Sequence, residues 1–274
     1  MKRIAVLMTC YNRVKTTLEC LHKLYINKLP EGFSLDIWLV DDASPDRTGD
    51  KVKAEYPQVN VIRGSGKLFW CKGMRLAWEE AASAYDYDGY LWLNDDVMLF
   101  SDGLSSLFKD MMTIFQSGQE CGVIVGTCVE RKGGALTYGC YGEDGVMAPS
   151  GHPQVADDKW QMSGNVVLVP RAVFNKIGFV CGKYMHACGD SDYRQLMIKN
   201  GVTMYCASQF AGACPKQPDR YVNPKDIAFI KRVQLLFSPK GKPLHDVFLF
   251  RYRHWGVVRA LLSVAHVALK TLFP

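Results

Sequence analysis

The chain has 274 residues, 48% hydrophobic and 22% charged. That composition excludes a disordered chain, and the length suits one large domain with an appended segment. The net charge of +6 is too mild to imply a partner, but Lys, Arg and His gather after Lys225, a bias that fits phosphates or a lipid surface.

In chain order, residues 4–10 form a short apolar run that predicts a buried strand, followed by Tyr11-Asn12-Arg13 and a helix over 15–24. A second strand over 35–40 ends on Asp41-Asp42-Ala43-Ser44-Pro45-Asp46. A helix, a third strand over 59–62 and a helix over 74–85 follow, and a fourth strand begins at Leu91. Strands and helices alternate at βαβ spacing, which predicts a parallel sheet covered by helices. Further on come a helix over 104–115, a strand over 122–126, a Gly-rich insertion or flap over 131–158 and a strand over 165–170. A short helix ends on Gly178, a helix opens at Gly189-Asp190-Ser191-Asp192, and the last clear strand spans 202–206.

The centre of this pattern is Tyr90-Leu91-Trp92-Leu93-Asn94-Asp95-Asp96-Val97-Met98-Leu99. A buried strand has no place for two unpaired carboxylates, so they belong at its carboxyl end, where open α/β sheets bind ligands. Clustered acidic oxygens there suit Mg²⁺ or Mn²⁺ shared with phosphates; a polar turn capping the next segment is the competing reading. The ten cysteines include no CxxC pair and miss zinc spacings, and Met1-Lys2-Arg3-Ile4 opens without an apolar signal core. A reduced, cytosolic protein without structural disulfides is expected. No uninterrupted apolar run reaches membrane-spanning length.

The motif order resembles the family 2 glycosyltransferases of GT-A fold up to about Gly212. The pieces are Thr9-Cys10-Tyr11-Asn12-Arg13, Val40-Asp41-Asp42-Ala43-Ser44-Pro45-Asp46, Leu93-Asn94-Asp95-Asp96, Gly164-Asn165 with Val169-Pro170-Arg171, and Gly178-Phe179 leading to Gly189-Asp190-Ser191-Asp192-Tyr193. The resemblance implies a mainly parallel α/β sheet with helices on both faces. It also implies an inverting transferase that moves a sugar from a nucleotide-diphospho-sugar, UDP-linked in preference to dTDP- or GDP-linked, to a hydroxyl on a glycan or lipid-linked acceptor. It places the nucleotide at Thr9, Tyr11 and Arg13, with Asp41 or Asp42 accepting from the base; an Asx-turn capping the next helix is the alternative for these carboxylates. Asp96 would hold the metal, with Asn94 or Asp95 helping. Asn94 stands where family members often have Asp, and the family's His after the last strand is missing from Ser208-Gln209-Phe210-Ala211-Gly212; His186 and His245 are the candidates to compensate. Asp190 matches the catalytic base, with Asp192 expected to cap or hydrogen-bond, although Gly189 replaces the acidic residue usual before that Asp. Lys72 or Arg75 could reach the diphosphate from a helix N-terminus or could face solvent. Trp70 and Trp160 are candidates for sugar stacking, with core packing the default for each.

The expected organisation is a catalytic domain over 1–215 and a helical, basic amphipathic segment over 216–274. Arg259, Ser263, His266 and Lys270 recur on one helix face, and Val257, Val258, Leu261, Leu262, Val264 and Leu269 fill the other, with Trp255 near the start. This pattern suits a helix lying on a membrane surface, here the inner face; docking on the core or on a second copy is the alternative. A nucleotidyltransferase is disfavoured because no Gly-rich phosphate loop follows the first strand, and a Rossmann dehydrogenase because no GxGxxG does. Nucleic acid is disfavoured by the acidic rim. A catalytically inactive glycan-binding or assembly scaffold remains the rival.

Overall fold

The computed structural model describes residues 1–216, 223–239, 241 and 243–274; positions 217–222, 240 and 242 of the expected C-terminal segment lie outside the described residues. The chain runs β1 (Lys2–Cys10), α1 (Val14–Tyr25), β2 (Phe33–Asp41), α2 (Thr48–Glu55), β3 (Asn60–Arg63), α3 (Phe69–Ala84), β4 (Gly89–Leu93), β5 (Met98–Leu99) and α4 (Gly103–Gln116). It continues through β6 (Val123–Val129), β7 (Leu136–Tyr138), β8 (Cys140–Gly142), β9 (Gly145–Val146), β10 (Gln154–Ala156), β11 (Gln161–Met162), β12 (Val166–Pro170), α5 (Arg171–Ile177), α6 (Gly189–Lys199) and β13 (Met204–Ala213). Two helices close it, α7 (Phe229–Leu235) and α8 (Leu244–Leu272).

A ten-stranded sheet orders its main path β10-β13-β6-β12-β4-β1-β2-β3, with β5 on β13 and β7 on β6. β1 is apolar on both faces because each face meets a separate core. Ile4, Val6 and Met8 pack with Leu21 and Leu24 of α1 and Leu107 and Phe108 of α4, whereas Ala5 and Leu7 pack with Met74 and Trp78 of α3 and Tyr193 of α6. The α/β class with a mostly parallel, doubly covered sheet is therefore present. β12 departs from it, running antiparallel to both β4 and β6. Its Val166-Val167-Leu168-Val169 run is fully buried, and such a run carries no sign of direction.

Three other boundaries differ from the expectation. α3 starts at Phe69, so Trp70, Lys72 and Arg75 lie on the helix itself. β13 continues past Cys206 to Ala213, bridging β6 and β5 through a bulged register. The 131–158 insertion is not formless: β8 pairs with β9 and β11 in a small antiparallel sheet, while β7 and β10 join the large one.

By length and composition alone α8 reaches the dimensions of a membrane span, although charged residues interrupt its apolar run as expected. Gly256, at φ 84 and ψ 175, divides it. Before the break, Leu249 and Phe250 pack against Cys71, Cys181 and Tyr184. Beyond it, Arg232 of α7 donates to the Leu272 carbonyl at 3.0 Å and Phe229 meets Phe273. Val257, Val258, Leu261, Leu262 and Leu269 are exposed.

Candidate active site

β1 lies between β4 and β2, so the chain leaves it to one side for β2 and β3 and returns on the other for β4. Ligand crevices open at such a reversal, beyond the carboxyl ends of the strands. Here β1 releases Thr9 through Arg13. Tyr11 is 52% exposed, and Asn12, at φ 53, donates its N–H to Ser44 Oγ at 2.9 Å. Thr9 packs against α3 so closely that a Cβ at Gly73 would lie 2.4 Å from its Oγ1.

The first acidic pair is absorbed by the backbone. Asp41 accepts from the Ser44 and Gly49 N–H groups at 3.1 Å each. Asp42 accepts from Gly66 at 2.7 Å, Leu68 at 2.8 Å and Phe69 at 3.1 Å. Both are buried, and a buried carboxylate needs such donors. The turn-capping alternative thus describes Asp41, and Asp42 ties down the loop that opens α3. The expectation that Asp41 or Asp42 accepts from a nucleotide base meets two carboxylates that the backbone already engages.

The second acidic group is arranged differently. Arg13 Nη1 lies 3.2 Å from Asp95 Oδ1 and 3.0 Å from Asp96 Oδ2. Asp95 also accepts from Thr17 Oγ1 at 2.9 Å. Burial, reinforced by neighbouring Asp96 and opposed by Arg13, raises the Asp95 carboxyl to about 7. Asp96 keeps a partly exposed side chain and meets Cys214 Sγ at 3.6 Å, so the end of β13 presents a thiol where a His was sought. Burial and Asp96 push that thiol's pKa upward, which keeps it protonated.

Asn94 accepts at Oδ1 from Trp70 Nε1 at 2.8 Å, which turns it toward an open cavity of about 480 Å³. The wall includes Trp70, Tyr138, Tyr141, His186, Asp190 and Lys216. One cavity therefore joins the end of β4 to the start of α6, residues nearly a hundred positions apart. α6 begins directly on α3, since a Cβ at Gly189 would lie 2.5 Å from Cys71 Sγ. Asp190 accepts from the Ser191 N–H at 2.8 Å. Asp192 faces away, wholly buried, and accepts from Tyr184, Arg253 and His254. A second cavity of about 360 Å³, lined by Lys2, Met111, Phe115 and Arg171 among others, includes none of the expected site residues.

Two positively charged candidates stand apart from the wall. Arg75 is turned toward the 178–182 loop, paired with Glu79 at 2.7 Å, donating to the Val180 carbonyl at 3.3 Å and lying over Phe179. That placement corrects its assignment to the diphosphate. Lys72 is partly buried on the first turn of α3 and does not line the cavity. Trp160 packs beside Gly142 and does not line it either. His245 bonds Asp246 at 3.0 Å on α8, whereas His186 is in the wall.

Among the described residues no three His, Cys, Asp or Glu side chains converge as a metal cluster. Asp96 with Asp95 behind it suits a hard cation that takes most of its oxygens from a diphosphate and water, as Mg²⁺ commonly does. The donor set fits such an ion only together with substrate. Thr17, Tyr138, Tyr141, Cys214 and Lys216 were not singled out from sequence. Thr17 alone carried a signal, as an uncommon buried polar position on the apolar stripe of α1.

Residues 5–139 match the family model described as Glycosyl transferase family 2. No curated protein matches the chain. Among solved structures it is similar to S. aureus TarS 1–349, with 14% identity over 100% of this chain and 81% of that one at TM-score 0.55. The same fragment in complex with UDP-GlcNAc aligns at 16% identity over 92% and 73%, TM-score 0.54. The mannosyltransferase PcManGT from Pyrobaculum calidifontis, in complex with GDP-Man and Mn²⁺, aligns at 15% over 97% and 75%, TM-score 0.57. At these identities the likeness is one of fold.

Proposed function

We propose, for a chain whose residues 5–139 match the glycosyl transferase family 2 model, an inverting transfer of one sugar from a nucleotide-diphospho-sugar to a hydroxyl of a lipid-linked or surface glycan. The observation that carries this reading is the single cavity whose wall includes Asn94, Trp70 and Asp190. Inverting transfer needs a carboxylate on the acceptor side while the diphosphate departs opposite. Asp190, on the first turn of α6, takes the acceptor proton. Trp70, Tyr138 and Tyr141 offer flat surfaces to sugar rings. Tyr11 and the Thr9 backbone receive the base, and Arg13 stands ready beside the diphosphate. Asp96, with Asp95 and Asn94, would hold Mg²⁺ or Mn²⁺, which when bound neutralises charge on the departing diphosphate. UDP-sugars are the first donors to test.

The catalytic unit is taken as 1–215 and the C-terminal segment as 216–274, the latter resting on the cytoplasmic face of a membrane. Support comes from the second half of α8, which has three sides. Ala260 and Thr271 are buried with Val264 and Val267 half-buried, Arg259, His266 and Lys270 are polar, and Val257, Val258, Leu261, Leu262 and Leu269 form an exposed apolar strip. Phe229, Ile230 and Phe237 add further exposed apolar surface around α7. A strip of this kind beside positive charge matches an interfacial helix.

The test is calorimetric titration of UDP-, GDP- and dTDP-sugars with and without Mn²⁺, using wild type, Asp96→Ala and Asp190→Asn. Metal-dependent binding lost in Asp96→Ala and kept in Asp190→Asn supports both assignments. No binding under any condition sinks the transferase reading in favour of the scaffold.

A further inference from the structure

Two wholly buried carboxylates, Asp192 and Asp246, join the helix that carries Asp190 to the first half of α8. Asp192 reaches from α6 to α8. Its Oδ1 receives Arg253 Nε at 2.9 Å, His254 Nε2 at 2.7 Å and Tyr184 Oη at 2.7 Å, and its Oδ2 receives Arg253 Nη2 at 3.3 Å. Asp246 reaches back the other way. It accepts from the Met185 N–H at 3.0 and 3.1 Å, from the His186 N–H at 3.3 Å and from His245 Nδ1 at 3.0 Å. Between these contacts lies the stretch from Met185 to Asp190, whose opposite side is pressed on Trp70 and Cys71 of α3. The turn into α6 is held at Cys188 in a left-handed conformation, φ 66, which a non-glycine residue keeps only when its surroundings impose it.

We infer that Arg253, His254 and Tyr184 are positioning residues for the transfer reaction, acting through Asp192 to set the place of Asp190. The inference rests on the proposed role of Asp190 as base. Burying an Asp–Arg pair gives weak stability compared with apolar residues of the same volume, because desolvation opposes the attraction. What four directed bonds on one carboxylate do supply is a fixed orientation, two residues from the group that must meet the acceptor. Apolar packing of Leu249 and Phe250 against Tyr184 and Cys181 backs the same contact. The C-terminal helix is in this sense part of the catalytic apparatus, and a load on α8 reaches Asp190 within one helical turn.

The experiment uses the full chain as wild type, Arg253→Gln, Arg253→Lys, Tyr184→Phe and Asp190→Asn. Hydrogen exchange of residues 185–191, read by mass spectrometry, needs no donor. Turnover is read as nucleoside diphosphate released from UDP-GlcNAc and from GDP-mannose with Mn²⁺, and donor affinity by calorimetry. Arg253→Gln is expected to speed exchange over 185–191 about tenfold. It should lower kcat roughly ten- to a hundredfold, the size expected when a reacting group is misplaced by about an ångström, while donor Kd stays within about twofold. Arg253→Lys should recover most of kcat. Should Arg253→Gln not fold, Tyr184→Phe keeps the ring, removes one bond and carries the same split at smaller size. Faster exchange confined to 250–256, unchanged kcat, or kcat and donor affinity falling together would overturn the inference. An inactive Asp190→Asn beside a normal Arg253→Gln defeats only the positioning role. A fully active Asp190→Asn, or a wild type that turns over neither donor, defeats the reading beneath it.

Discussion

β2 and β4 both end on consecutive aspartates, and the two ends serve opposite purposes. At β2 the carboxylates of Asp41 and Asp42 are met by five backbone N–H contacts, and they fasten the turns into α2 and α3. At β4 the acids meet side chains, Arg13, Thr17 and Cys214. The difference lies in the chain just beyond each strand. Ser44 to Phe69 supplies amides that curl back over β2, whereas Val97 leads straight into β5. α6 divides its acids within a single turn in another way: Asp190 lines the cavity and accepts from the Ser191 N–H, and Asp192 is locked by the side chains of Tyr184, Arg253 and His254. At the two strand ends the donors set builders apart from participants, and in α6 it is the side of the helix each acid faces.

The largest effect expected is at a participant. Asp190→Asn should lower kcat by about 10²–10⁴, the contribution usual for a positioned base, with donor binding retained in calorimetry. Next comes a builder: Asp42→Ala leaves the amides of exposed Gly66 and half-buried Leu68 and Phe69 without their acceptor and should cost about 1–2 kcal/mol in denaturant unfolding. Its counterpart Asp96→Ala should leave unfolding nearly unchanged and weaken Mn²⁺-dependent donor binding by about tenfold. If Asp42→Ala instead spared stability and abolished donor binding, the two strand ends would be functionally alike and the contrast would collapse.

The smallest effect concerns His254. Burial lowers its pKa, with Asp192 acting in the opposite direction and Lys199 and Arg253 adding to the lowering. The folded state therefore binds this proton at lower pH than the unfolded chain, and stability should rise with pH up to the ordinary histidine value near 6.5 and fall as pH drops below it. Thermal unfolding between pH 5 and 7.5 should show this slope in wild type and a flatter one in His254→Gln. An unchanged slope would mean that other groups set it.

Elements filled from both faces were readable from sequence. β4 and residues 4–8 of β1 are apolar, β6 departs only at Thr127, and α1 shows its stripe. The acidic residues at both strand ends were visible too, but not their use, because the amides that answer Asp42 lie more than twenty residues on. The start of α3 was hidden since Phe69 enters it with φ 53 and Lys67 to Lys72 lacks a clean period. β13 looked finished at Cys206 because Ser208 and Gln209 interrupt its apolar run; the Ser208 N–H is answered by buried Asp110 at 2.7 Å, which no local pattern reveals. The partners of Asp192 on α8 lie about sixty positions away, beyond any spacing rule.

Gly256 has a consequence for reach. Unbroken, a helix from Leu244 to Leu272 would be a rod about 44 Å long, ample for the roughly 30 Å hydrocarbon layer. With the break, residues 257–272 extend only about 24 Å and fall short of the far side. The backbone angles at Gly256 belong to a region that side-chain-bearing residues avoid. A single absent Cβ thereby turns one long rod into two shorter ones, and on the proposed membrane surface the second would lie along the bilayer and not through it.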